Sequence, residues 1–118
     1  MVRDRRAAEK SGRDGETRAA LFLRAKGWRI LDKRVRTPLG EIDLVAKRGN
    51  LVAFVEVKTR KTAAELDFAI DEHRLSRVAA AAEMLVPRYA GPEDDIRIDV
   101  VLIAPRAWPR HIENAWIG

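Results

Sequence analysis

The 118-residue sequence contains no cysteine, which excludes a disulfide framework, a thiolate zinc site and a cysteine nucleophile. Long apolar runs are also missing: the longest is five residues, as in Ala19 to Leu23, and the N-terminus reads MVRDRRAAEK with no apolar stretch behind its charges. A membrane span needs about 20 such residues and a secretory signal needs an apolar core, so neither is expected and the expected compartment is cytoplasmic. The seven glycines are scattered and none precedes a Lys-Ser/Thr pair, leaving no phosphate loop of the P-loop or dinucleotide type. Only three Ser/Thr precede residue 40 and no serine sits in a nucleophile elbow. Aromatics are few. Phe22, Phe54 and Trp28 are expected in the core, and Trp108 and Trp116 in core or interface, with base stacking as the alternative.

The length fits one domain, able to bury roughly two-thirds of its unfolded surface without staples. Charge is abundant and unevenly spread: the chain carries net +5 with pI about 10.1. Residues 1–29 hold nine Lys/Arg against four acids, whereas residues 30–118 hold 14 of each sign. The sequence therefore divides into a basic N-terminal arm over 1–13 and a single domain over 14–118. Such a footprint suits a polyanion such as nucleic acid; a merely solvated tail is the other reading.

Gly12 and Asp14 offer breaker and cap chemistry, and Gly27 closes the apolar stretch that follows, so the first helix is predicted over about 14–26. Glu16, Ala19, Ala20 and Leu23 share one of its faces, placing a carboxylate at the end of the core stripe. Strands are predicted at Trp28–Val35, Glu41–Ala46 and Leu51–Thr59, the last two joined by the turn Lys47-Arg48-Gly49-Asn50. Residues 60–70 read as a loop or short helical turn. A second helix, capped by Asp71, runs to about Val86, where Pro87 stops it. A fourth strand follows at Ile96–Leu102, and an optional short one near Arg110–Trp116. The order α-β-β-β-α-β defines an α/β domain, a sheet flanked by helices.

The third strand, LVAFVEVKT, carries the informative anomaly. Alternation puts Val52, Phe54, Glu56 and Lys58 on one face of an otherwise apolar strand. An ion withdrawn from water costs several kcal/mol unless it is compensated, whereas an i, i+2 pair at a half-exposed strand end is nearly neutral. In the second strand alternation puts Glu41, Asp43 and Val45 on one face and Ile42 and Leu44 on the other. If the hairpin aligns the two strands, Asp43 lies beside Glu56 and Glu16 reaches in from the helix. Clustered carboxylates repel, and a hard cation such as Mg²⁺, which takes one or two carboxylates plus waters and phosphate oxygens, relieves that repulsion.

Glu16, then Gly40-Glu41-Ile42-Asp43-Leu44-Val45, then Phe54-Val55-Glu56-Val57-Lys58-Thr59-Arg60, then Arg97-Ile98-Asp99-Val100-Val101, resembles the bacterial YraN family over nearly the whole chain, including His111-Ile112-Glu113-Asn114-Ala115-Trp116. That family is similar to Holliday-junction resolvases of the PD-(D/E)xK nuclease superfamily. The resemblance implies a restriction-endonuclease-like core with a mixed sheet, and Mg²⁺-dependent hydrolysis of DNA phosphodiesters, with Mn²⁺ able to substitute. It implies Asp43, Glu56 and the Val57 backbone carbonyl as metal ligands, Lys58 as the residue that orients the attacking water, and Glu16 as the extra helix carboxylate. Glu41 either holds a second metal or flanks Gly40 at a strand start. Arg13, Arg18, Arg60, Arg74 and Arg77 are the expected nucleic-acid contacts. The expected partner is DNA rather than a membrane, and a homodimer is an allowed assembly. Ile42 replaces the superfamily's proline, and Arg74-Leu75 stands where relatives carry Lys-Gln. His73 and His111 are expected at the surface.

Overall fold

β3 (Leu51–Thr59) is the centre of the molecule because both of its faces are apolar: Val52 and Phe54 project to one side, Ala53 and Val55 to the other, and all four are buried. The computed structural model describes residues 5–116. β1 (Arg29–Thr37), β2 (Gly40–Arg48) and β3 form an antiparallel meander. β4 (Asp95–Ile103) pairs parallel to β3, and the short β5 (Arg110–Ile112) closes the far side antiparallel, giving the order β1-β2-β3-β4-β5. The parallel pair requires a crossover, which a 3-10 helix at Ala64–Phe68 and helix α2 (Glu72–Tyr89) provide. Helix α1 (Arg5–Ala25) covers the opposite face. Two cores result: Ala19, Ala20, Leu23 and Trp28 pack on Ala53 and Val55, while Leu75, Val78, Ala82 and Leu85 pack on Val52 and Phe54. The expected mixed α/β sheet, including the optional fifth strand, is present.

Both helices are longer than the sequence predicts. α1 begins at Arg5 rather than near residue 14, so Gly12 and Asp14 neither break nor cap it; residues 1–4 of the basic arm lie outside the described residues. Gly15 is buried within this helix, and a β-carbon there would collide with the Thr59 side chain at the end of β3. The glycine lets helix and strand approach closely. α2 begins as expected, with the Asp71 carboxylate accepting from the His73 and Arg74 N–H groups at 2.9 and 3.4 Å. It then passes through Pro87 to Tyr89. Proline removes one helical hydrogen bond, but the last turn is held from outside. Tyr89 donates to Asp32 at 2.6 Å and meets Phe54 edge-on, with ring centroids 6.3 Å apart.

His111 is the other departure. Its side chain is only 3% exposed, not at the surface, and Asp99, fully buried in β4, accepts from its Nε2 at 2.7 Å. Lys26, which can only donate, reaches the other ring nitrogen at 2.7 Å, so Nδ1 accepts and Nε2 carries the proton. Two bonds from Arg97 at 2.8 Å and one from Asn114 N–H at 3.0 Å complete the shell around Asp99. Burial alone would raise this carboxyl, but those donors outweigh it and hold it at about 2. The network ties β5 and the turn after it to the sheet.

The outer strand β1 is irregular in two places: its register slips between Ile30 and Asp32, and Arg34 adopts a left-handed backbone with φ 51°.

The two glycines of α1 make opposite predictions. Gly12 has open space around it, so Gly12→Ala should raise stability by about 1 kcal/mol through helix propensity alone. Gly15→Ala should lower it by about 1–3 kcal/mol through overpacking against Thr59. Thermal melts of the two variants that shift in the same direction would refute the close-approach account.

Candidate active site

β2 and β3 stay paired from Arg48↔Leu51 to Leu44↔Val55, and the register stops there. Just beyond it, the ladder is replaced by a side chain: Val57 N–H donates to Asp43 Oδ2 at 2.7 Å. The strict alternation expected of β2 fails at this point. Ile42 packs with Val45 on the α2 side, whereas Leu44 and Ala46 pack on the α1 side. Glu41 and Asp43 therefore do not simply share one face with Val45. The register Lys33↔Leu44 and Val35↔Ile42 puts Arg34, with its left-handed backbone, across from Asp43, so both strands kink together. The result is an opening between β2 and β3 at the end of the sheet, with a carboxylate at its mouth.

Glu56 projects from β3 to the α2 side, beside Lys58, Asp71, Arg74 and Val100, and is 1% exposed. Its Oε1 accepts from Arg74 Nε at 2.8 Å and lies 3.5 Å from Lys58 Nζ. Its Oε2 is buried with no hydrogen-bond partner. Lys58 is 17% exposed, and burial pushes its ammonium below the usual lysine range, partly opposed by the Glu56 charge. Burial and the Glu56 charge push the Asp43 carboxyl up to about 7, with Glu16 adding to the rise and Val57 N–H and Arg74 opposing it. Hydrogen bonding to Glu56 holds Arg74 firmly charged. Three carboxylates and two cations thus act on one another where a nonpolar strand would have no use for any of them.

The structure brings together Asp43, Glu56, Lys58 and Arg74, with Glu16 alongside. Glu16 is held by Arg34 Nε at 2.7 Å, a partner the sequence reading missed because it required Arg34 to leave regular strand geometry. Glu41 pairs loosely with Arg36 at 3.9 Å and lines a polar cleft with Arg74 and Arg77. Arg60 donates to the Thr59 carbonyl at 2.7 Å beside the site. Arg18 lies on another side of α1, 3.5 Å from the Ala104 carbonyl, and Arg13 is exposed one turn earlier. His73 is exposed, as expected, and Leu75 is buried in the core under α2.

No group of three or more His, Asp or Glu side chains is gathered to hold a metal ion among the described residues. The donor set nonetheless fits a hard cation, because Mg²⁺ needs only one or two protein carboxylates and fills its remaining positions with water and substrate oxygens. An orphaned carboxylate oxygen on Glu56, and a second carboxyl at Asp43 whose ionisation the Glu56 charge opposes, are the chemistry such an ion requires.

A mixed sheet with α1 on one face and α2 on the other, opening between β2 and β3 beside a Glu-x-Lys strand, is the restriction-endonuclease-like architecture. Its fold is similar to that of Hjc, a Holliday junction resolvase from the archaeal hyperthermophile Archaeoglobus fulgidus. The TM-score is 0.54 at 21% identity, over 83% of this chain and 72% of that one. Within this class the chain belongs to the Uncharacterised protein family UPF0102, matched over residues 15–103, which is the YraN-type family its motifs resemble. It is 72% identical over 112 residues to the UPF0102 protein of Erythrobacter litoralis, covering 95% of this chain and 97% of that one. The UPF0102 protein of Sphingopyxis alaskensis is 63% identical over 112 residues, with the same coverage.

The raised Asp43 carboxyl gives a signed pH dependence. Unfolded, this group ionises near pH 4, and folded near about 7, so the native state binds the extra proton between those values. Its contribution to stability is therefore lost as pH rises from about 4 to about 7 and is constant above. Without divalent cation, Asp43→Asn should flatten that part of the stability profile. Denaturant midpoints with the same pH slope in both proteins would show that Asp43 is not the group responsible.

Proposed function

We propose that this protein is a divalent-metal-dependent endonuclease, served by Mg²⁺ with Mn²⁺ able to substitute, that hydrolyses phosphodiester bonds of structured or single-stranded DNA. The observation that carries this reading is the unpartnered, buried Glu56 Oε2 beside the Asp43 carboxyl. Asp43, Glu56 and the Val57 carbonyl are the residues that would hold the cation. Glu16 would join them on leaving Arg34, and Glu41 lies at the rim. Bound there, the cation supplies a Lewis acid for the scissile phosphate and eases ionisation of the attacking water.

The remaining work falls to side chains of the chain itself. Lys58 Nζ orients the attacking water and places positive charge where negative charge develops on the phosphorus. Arg74 forms the wall between Glu56 and the cleft shared with Arg77, and both guanidinium groups suit phosphate oxygens. Arg60, at the end of β3, extends the same cationic surface. Recognition by these groups rests on phosphates and on the shape of the DNA, since phosphate contacts position a protein without reading its sequence. The fold likeness to a Holliday junction resolvase agrees with this reading.

A second reading, a nucleic-acid-binding or adaptor protein that keeps the fold without turnover, is favoured by one observation. Glu56 Oε1 already accepts from Arg74 and lies 3.5 Å from Lys58, so protein cations stand where an ion's charge would. A screen over junction, flap, single-stranded and duplex DNA decides between the two: a wild type that binds DNA but cleaves none of them with any divalent metal selects the adaptor.

Two substitutions test the site. Asp43→Asn should weaken Mn²⁺ binding measured by calorimetry while leaving the fold intact, and unchanged affinity would sink the ligand assignment. Lys58→Met keeps the aliphatic stem, so thermal melting should be unchanged or higher while single-turnover cleavage falls about a hundredfold or more. Wild-type cleavage by Lys58→Met would refute its catalytic role.

A further inference from the structure

A second concave surface lies on the other side of α1 from Glu16, between that helix and the segment joining β4 to β5. Leu21, Phe22 and Pro109 line it, and Trp108, Arg18 and Arg106 stand around it. Trp108 is 87% exposed and Leu21 58%, so neither is part of the core, which leaves interface or base stacking among the placements expected for this tryptophan. An indole this bare beside Leu21, Phe22 and Pro109 offers a flat stacking face at the groove. The charge of the groove narrows the occupant: the residues lining it include two arginines and no carboxylate among the described residues. A second copy docking through this patch by two-fold symmetry would bring the same arginines against one another. A polyanion with flat, stackable groups satisfies both the indole and the guanidinium groups.

The position of the groove agrees. Arg18 Nη1 reaches the Ala104 carbonyl at 3.5 Å, one residue past the end of β4. Arg60 N–H bonds the Ile103 carbonyl at 2.9 Å, one residue past the end of β3. The Arg18 corner of the groove and the Lys58 end of β3 therefore lie at the same end of the sheet, the groove on the α1 face and Glu56 and Lys58 on the α2 face. A strand that wraps around that end can touch both.

We propose that this groove binds an unpaired nucleobase of a DNA strand, stacked on Trp108, with neighbouring phosphates held by Arg18 and Arg106. The inference rests on the reading of this chain as acting on DNA, and it narrows the substrate class to DNA that carries single-stranded or unstacked nucleotides. Stacking is indifferent to base identity, so the site selects for strandedness and not for sequence.

The test uses the full chain in EDTA, so that binding is read without cleavage. A fluorescein-labelled oligo-dT of twelve or so nucleotides and a duplex of equal length are titrated by anisotropy, with tryptophan emission followed in parallel. Oligo-dT should quench the emission of the wild type. Trp108→Ala should weaken oligo-dT binding at least about fivefold with duplex binding little changed, and Trp108→Phe should recover most of the loss. Arg106→Ala should make the salt dependence of oligo-dT binding shallower by about 0.7 in log-log slope. Wild-type affinity of Trp108→Ala for oligo-dT, in a protein whose melting is unchanged, overturns the proposal. So does a dimer-to-monomer change in sedimentation caused by that substitution, which would assign the groove to a second copy. The nuclease reading fails separately: if Trp108→Ala loses oligo-dT binding while the wild type cleaves no substrate with Mg²⁺ or Mn²⁺, the groove stands and the catalytic assignment falls.

Discussion

The hydrogen bond from Val57 N–H to the Asp43 carboxylate, 2.7 Å long, is the point on which the candidate site depends. A backbone donor beside a central strand must be satisfied, and ordinarily the neighbouring strand's carbonyl does it. Here a side chain takes that place, so the part of β2 that precedes Leu44 is free to leave β3 without stranding the N–H group. The separation makes room for charged side chains inside a sheet that would otherwise be sealed by apolar contacts. Asp43 thereby sits where burial and Glu56 together make its ionised form costly, while one of its oxygens is fixed by the backbone of the strand that carries Glu56 and Lys58.

Helix α1 performs two tasks because it can lie so close to β3. The bare α-carbon of Gly15 lets it settle against Thr59, which brings Glu16 to the mouth between β2 and β3. Two residues on, the helical rotation carries Arg18 to the other side, toward the end of β4. Its neighbours Ala19, Ala20 and Leu23 meanwhile fill one of the two cores. A helix lying across one face of the sheet in this way presents Glu16 and Arg18 from a single rigid element, where two loops would leave the groups less fixed relative to one another.

Much of this was legible in residue patterns, and the failures have physical causes. β3 was readable residue for residue, because β-branched and aromatic side chains bounded by turns leave little alternative, and the charges at Glu56 and Lys58 stood out against them. The hairpin to β2 and the Asp71 cap followed from turn and capping chemistry. Helix limits did not: Gly12 and Asp14 are weak local signals that the helix runs through, and Tyr89 anchors a turn that Pro87 was expected to end. The slip in alternation at Asp43 was invisible because it depends on a side chain bonding to another strand's backbone. His111 read as an isolated surface imidazole, and only the fold brings Asp99 and Lys26 to its two nitrogens. Arg34 and Arg74 are the site partners that no spacing rule could pair with Glu16 and Glu56, since both contacts cross between elements.

The irregular outer strand has a consequence for how copies of this protein can meet. An open sheet offers unpaired backbone groups along its border strands, and two such borders can zip together into a larger sheet. β1 resists this: the slipped register between Ile30 and Asp32 and the left-handed turn of Arg34 break the row of donors and acceptors into short pieces. Its exposed positions also carry Arg29, Lys33, Arg34 and Arg36, long charged side chains of the kind that discourage pairing at a sheet border. At the other border β5 is only three residues long, too short to template an extended strand. The sheet is therefore finite by construction, and the kink that opens the mouth beside Asp43 also guards the molecule against growth into fibres.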